Sequence, residues 1–241
     1  MKGIALACLI LFIPSSLALA AAPPPPPLKV TLPFDGAAAL AVLDARPDVL
    51  NGERKDTFVG FTRSLYGIPY PAHTKSKKPL AQDLADLVTR ALKSGGSPVQ
   101  SIIVSAFEGR EGAMKALKAS GAERLILIEI RDWWSDTLVR TDLHYDLSLI
   151  VFNAEGQELG SSSLLGHDGL GKKQRAERRD VPTATNDIFS TLFAKEAVVA
   201  AFSADAAPVA GSAGCTVEQI LKMKEAGLSQ QQIEAACGSG S

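Results

Sequence analysis

Residues 124–134 read RLILIEIRDWW, and residues 142–151 read DLHYDLSLIV. In the first stretch Ile126, Ile128, Ile130 and Trp134 recur at period two, while Glu129, Arg131 and Trp133 take the alternate positions. In the second, Leu143, Tyr145, Leu147, Leu149 and Val151 alternate with Asp142, His144, Asp146 and Ser148. That alternation describes a strand with one wet face over most of its length. Asn153-Ala154-Glu155-Gly156 then reads as a hairpin turn, with glycine where positive φ is often needed. A partner strand over 157–165 completes a three-stranded meander.

Toward the N-terminus, 38–44 reads as a short apolar strand ended by Asp44-Ala45-Arg46-Pro47, and 57–63 as a second strand. Residues 64–78 read as a loop. Pro79 opens a helix whose apolar positions Leu80, Leu84, Leu87, Val88, Ala91 and Leu92 keep helical spacing until Gly95-Gly96. A strand over 100–105 and a helix over 111–119, closed by Gly121, follow. Beyond the meander a polar, basic connection leads to a helix over 185–202 bearing Phe189, Leu192, Phe193, Ala197 and Ala200. This order predicts an α/β (α+β) fold, with a mixed, mostly antiparallel sheet and helices packed on one face.

Both ends of the chain have a different character. Residues 1–20 read as a signal peptide: Lys2, an apolar run too short to span a bilayer, then Ala18-Leu19-Ala20 as a cleavage site. The protein is therefore expected to be exported, to a periplasm where disulfides form. Cys8 lies inside the apolar run, which continues beyond it, so it is a poor lipidation site. Residues 21–35 form a proline-rich spacer, 36–204 the α/β domain and 205–214 a linker rich in Ala, Pro, Gly and Ser. Residues 215–238 read as a helical hairpin, because Thr216-x-x-Gln219 and Ser229-x-x-Gln232 are capping boxes and Gly227 lies between them. Antiparallel helices bring Cys215 and Cys237 to one end, where a disulfide is worth roughly 3 kcal/mol to so small a unit.

The formal net charge is −1, with 46% hydrophobic and 21% charged residues, an ordinary globular balance. No global field recommends binding to nucleic acid or anionic lipid. No second stretch reaches the roughly 18 apolar residues of a membrane helix.

Chemistry-bearing motifs are sparse. Gly166 to Lys172 fits GxxxxGK, but Lys173 stands where a nucleotide site needs Ser or Thr for Mg²⁺, and the motif follows a hairpin. No cofactor and no nucleotide are expected. Lys172, Lys173, Arg175, Arg178 and Arg179 form a basic run that could dock an anionic partner, diluted by Glu177 and Asp180. His73, His144 and His167 lack metal-ligand spacing, although His144 shares a strand face with Asp142 and Asp146. No carboxylate pair or GxSxG elbow is marked by context, so no catalytic residue is assigned. Exposed aromatics often anchor partners; here the candidates are Tyr66 and Tyr70 in a proline-containing loop, and Trp133 opposite the isoleucine face.

Asp44-x-Arg46-x-Asp48 after an apolar strand, the helix from Leu80 to Leu92, the Tyr145-Asp146-Leu147 strand with its hairpin and the last long helix together resemble the YajG-like family of bacterial envelope lipoproteins, over about residues 38–202. The resemblance implies a compact α/β domain in the cell envelope with no established enzymatic role. The chain departs from that family in lacking a credible lipidation cysteine. The tail also looks loosely like short C-terminal helical hairpins of other bacterial proteins. The expected function is that of an exported, non-enzymatic accessory or binding protein with an envelope protein or glycan as partner. The alternatives are a periplasmic hydrolase or sugar-modifying enzyme, and a structural, oligomeric subunit clipped together by the hairpin around Ile220, Met223 and Ile233.

Overall fold

The computed structural model describes residues 27–172, 180–203, 205–209 and 224. The expected signal peptide and the Cys215–Cys237 hairpin lie outside the described residues. In chain order the elements are β1 (Ala38–Asp44), α1 (Pro47–Leu50), β2 (Phe58–Arg63), β3 (Pro69–His73), α2 (Leu80–Ser94), β4 (Val99–Ile102), a short 3₁₀ turn (Ala106–Glu108), α3 (Gly109–Ala119), β5 (Arg124–Thr137), β6 (Arg140–Asn153), β7 (Glu158–Lys172), α4 (Val181–Phe193) and α5 (Glu196–Ala201).

One mixed sheet contains all seven strands, and β5 organises it. Along one edge β5 pairs antiparallel with β6, which pairs antiparallel with β7. Along the other edge β5 takes two parallel partners in succession. These are β1, from Ala38↔Arg124 to Asp44↔Ile130, and then β2, from Gly60↔Ser135 to Thr62↔Thr137. β4 adds parallel to β1, and β3 adds antiparallel to β2. The expected sheet was mostly antiparallel, yet β1, β2 and β4 all enter it by parallel pairing.

The join between β1 and β2 leaves backbone carbonyls without a strand neighbour, and Arg46 fills it. Its Nη1 donates to the carbonyls of Phe58 (2.7 Å) and Trp133 (3.2 Å), and its Nη2 donates to that of Asp56 (3.3 Å). The Asp44 carboxylate takes Nε at 2.8 Å and Nη2 at 2.7 Å. Arg46 is 1% exposed and Asp44 3%. A buried ion pair is tolerable when the remaining donors are also satisfied, as they are here. The Asp44-x-Arg46 motif therefore aligns β2 behind β1 along β5.

A β-bulge between Ile130 and Asp132 changes the face of everything after it in β5: Ile130 stands opposite Leu147, and Asp132 stands opposite Asp146. The extra residue, Arg131, puts Trp133 with Ile126, Ile128 and Ile130 in the core and turns Trp134 to the opposite face. Strict alternation had exposed Trp133 and buried Trp134. The structure reverses them, and Trp133 is only 3% exposed.

Both faces of the sheet carry helices, which corrects the one-face expectation. Leu40, Val42, Ile126, Ile128, Leu147 and Leu149 pack beneath α2, α4 and α5, joined by Leu28, Val30 and Leu32 from the N-terminal stretch. On the opposite face Ala39, Ala41, Leu125, Leu127 and Phe152 pack with Ala113 and Leu117 of α3. The unbroken apolar run Leu125-Ile126-Leu127-Ile128 is what double-sided burial requires. α3 covers only the end of this face near Arg124, so the half bearing Trp134 stays open.

Other corrections are local. The expected loop over 64–78 contains β3, an edge strand in which Pro69 and Pro71 are tolerated because edge positions need not donate to a ladder. β7 runs through Gly166 to Lys172, so the GxxxxGK stretch is strand. The expected helix over 185–202 is two helices, α4 and α5. Lys195, with extended φ −63 and ψ 134, caps the second.

Candidate functional site

At the end of the sheet where β2 and β5 finish, two turns project large apolar side chains. The parallel register Thr62↔Thr137 brings these strand ends side by side. The β2–β3 turn closes with Ser64 N–H donating to Ile68 O at 2.9 Å, and Gly67 adopts φ +79. From this hairpin Leu65 is 96% exposed, Tyr66 92%, Tyr70 54% and Ile68 52%. From the β5–β6 turn Leu138 is 43% exposed and Val139 66%.

Arg63 fixes this tip to the sheet. Its Nε and Nη2 grip the Asp136 carboxylate (2.7 Å to Oδ1, 2.6 Å to Oδ2), while Nη1 donates to the Gly67 carbonyl at 3.2 Å. Hydrogen bonding from Arg63, despite partial burial, holds the Asp136 carboxyl below the usual carboxylate range, and the bond to Asp136 raises the guanidinium. One strand further on, Arg140 stands opposite Lys172, and both are exposed.

Tyr66 and Tyr70 thus stand together on an exposed tip. Trp133, the third aromatic expected there, opposes Tyr145 inside the core. Of the basic run, Lys172 is placed at the end of β7; Lys173, Arg175, Arg178 and Arg179 lie outside the described residues.

The open half of the α3-side face carries a ladder that strand alternation had only partly foreshadowed through His144, Asp142 and Asp146. Trp134, His144 and His167 occupy facing positions on β5, β6 and β7. The indole lies 4.0 Å from the His144 ring at 3° between planes, and His144 lies 4.2 Å from His167 at 18°. Phe61 meets Trp134 edge-on at 6.5 Å. Asp132 opposes Asp146 and Asp136 opposes Asp142, juxtapositions that repel in a sheet. Their neighbours offset that repulsion: Trp134 Nε1 donates to Asp132 (3.2 Å), Arg131 to Asp146 (2.7 Å), Arg63 to Asp136, and His167 lies 3.8 Å from Asp142. Among the described residues no group of three His, Cys, Asp or Glu could hold a metal ion. His73, on β3, bonds Thr57 Oγ1 at 2.9 Å.

The GxxxxGK stretch serves packing. A Cβ on Gly166 would overlap the Tyr145 hydroxyl, so the absent side chain makes room for the opposing phenol. Burial, then the neighbouring Asp168, pushes the Tyr145 phenol above its ordinary value. The groove of about 790 Å³ beside it is lined, among others, by Asp168, Asp180 and Asp187.

No family model matches the chain, and no curated protein matches it. Solved structures show distant likeness. Protein XCC0632 from Xanthomonas campestris is 14% identical, with 72% of this chain and 88% of that one covered, at a TM-score of 0.39. Lipoprotein GNA1162 from Neisseria meningitidis is 13% identical, covering 64% and 98%, at 0.37. PelC from Paraburkholderia phytofirmans, solved as a dodecamer, is 10% identical, covering 68% and 90%, at 0.38. Likeness at this level transfers no role to this chain.

Proposed function

We propose that this chain is an exported, non-enzymatic binding protein of the cell envelope that engages its partner through the tip carrying Tyr66 and Tyr70. The leader-like residues 1–20 motivate export, and the YajG-like resemblance agrees with an envelope role. The observation that carries the binding assignment is the clustering of Leu65, Tyr66, Ile68, Tyr70, Leu138 and Val139, all exposed, at one end of the sheet. Scattered surface apolar residues need no explanation, whereas a contiguous group on turns held by an internal ion pair is what a docking surface presents. The basic run from Lys172 through Lys173, Arg175, Arg178 and Arg179 is its anion-binding adjunct.

The carboxylates of the open face are each engaged, by Arg63, Arg131, Trp134 and His167, and so serve the sheet. The test is crosslinking in intact cells followed by capture of the protein, comparing wild type with Tyr66→Ala plus Tyr70→Ala. The reading expects an envelope component to be lost in the double variant while circular dichroism stays unchanged. An unaltered set of adducts overturns the tip as the docking surface.

A further inference from the structure

We infer that the tip docks on a lipid surface bearing anionic headgroups: Leu65 and Tyr66 enter the apolar layer, and Arg140 and Lys172 meet the headgroups. This rests on the tip being the docking surface, and it names the partner. Three observations carry it.

The first is shape. Leu65 and Tyr66 stand at the crest of a turn, 96% and 92% exposed, with almost no protein beside them. An apolar protein anchor works by filling a pocket of matching shape, and the affinity then depends on close packing. A fluid hydrocarbon layer asks for no such match and rewards apolar area alone, at about 25 cal/mol per Å² removed from water. Two convex turns at the same end of the sheet suit a plane better than a pocket. Tyr66 and Tyr70 also combine a ring with a hydroxyl, the pairing favoured at the boundary between hydrocarbon and water.

The second is charge. Arg140 and Lys172 are register partners at this same end, and neither makes an ion pair among the described residues. Like charges directly opposite one another across two strands are unfavourable unless an anion lies between them. Across the sheet Arg140 lies two strands and Lys172 three strands from β2, about 10 Å and 15 Å from the strand that carries the apolar crest. That is the reach of neighbouring headgroups. The chain as a whole is almost neutral, so the attraction is local to this end.

The third is rigidity. Arg63 ties the turn carbonyl of Gly67 to Asp136 of β5. A turn held in this way presents its crest without first having to be ordered, which lowers the entropic cost of insertion.

The test uses the chain as the cell processes it, sedimented with large vesicles of phosphatidylcholine alone or mixed equally with phosphatidylglycerol. Binding to the mixed vesicles is expected, weakened by salt. Leu65→Ser with Tyr66→Ser should lower it at least tenfold, and Arg140→Gln with Lys172→Gln about 25-fold, since each surface cation contributes about fivefold. Val139→Ser, on the separate turn, gives an independent check with a smaller loss. Circular dichroism confirms the fold of each variant. Absence of binding to either vesicle overturns the inference, as does binding that survives loss of the apolar crest. If vesicles fail while crosslinking from the tip still captures an envelope protein, the lipid assignment is wrong and the docking surface stands.

Discussion

Arg63 and Asp136 join β2 to β5 by a two-pronged bond, and the third donor group of the same guanidinium holds the turn that carries Tyr66. One side chain therefore couples the sheet to its most exposed apolar residues. Because Arg63 lowers the Asp136 pKa, the pair's contribution to stability is present above the unfolded carboxyl value of about 3.9. It disappears as pH falls through the lower folded value. Asp136→Asn should flatten this part of the acid limb of a stability–pH curve measured by chemical denaturation. Faster amide exchange at residues 64–68 should accompany it.

Arg46 should behave differently from any surface arginine. Arg46→Ala strands the Asp44 carboxylate and the Phe58 and Trp133 carbonyls in the core, and a loss of about 3–5 kcal/mol is expected. Urea unfolding measures it. A loss below about 1 kcal/mol would show that the join between β1 and β2 does not depend on this residue.

The bulge at Arg131 makes the adjacent tryptophans separable. Trp133→Ala opens the core beneath α2 and should cost about 3–5 kcal/mol. Trp134→Ala removes a half-buried ring from the open face and should cost only about 1 kcal/mol. Acrylamide should quench the fluorescence of Trp134 more readily than that of Trp133, assigned through the single variants. Equal quenching would place the bulge elsewhere.

Gly166 and Tyr145 give an alkaline counterpart. A phenol with a raised pKa contributes stability that is intact below about 10 and declines as pH rises through the folded value. Gly166→Ala should push the ring away from its place over β7 and bring its titration, followed by ultraviolet difference absorbance, back toward that of an exposed tyrosine. Tyr145→Phe should remove the late-titrating phenol altogether.

Much of this architecture can be read from period-two alternation and glycine punctuation. The β5–β6–β7 meander and α2 follow from local periodicity, and β1 from a short unbroken apolar run ended by Asp44-Ala45-Arg46-Pro47. The parallel insertion of β1, β2 and β4 does not, because it depends on crossovers that no local period encodes. Trp133 was misplaced for a sharper reason. A single inserted residue reverses every later side chain of a strand, and Arg131 is an unremarkable polar residue in an alternating run. The hidden strand β3 was masked by Pro69 and Pro71, which argue against a central strand but not against an edge. Tyr66 and Tyr70 were legible as aromatics in a proline-containing loop. Leu138, Val139 and Arg140 were not, since only the parallel β2–β5 register carries their turn to the same end.

The most direct test of that shared end is a photo-crosslinking amino acid placed at Tyr66, with Glu155 in the β6–β7 turn at the opposite end of the sheet as control. After irradiation of intact envelopes, the account predicts adducts from position 66, to lipid if the inference above holds, and none from position 155. Equal labelling from both positions, or none from position 66, would contradict it.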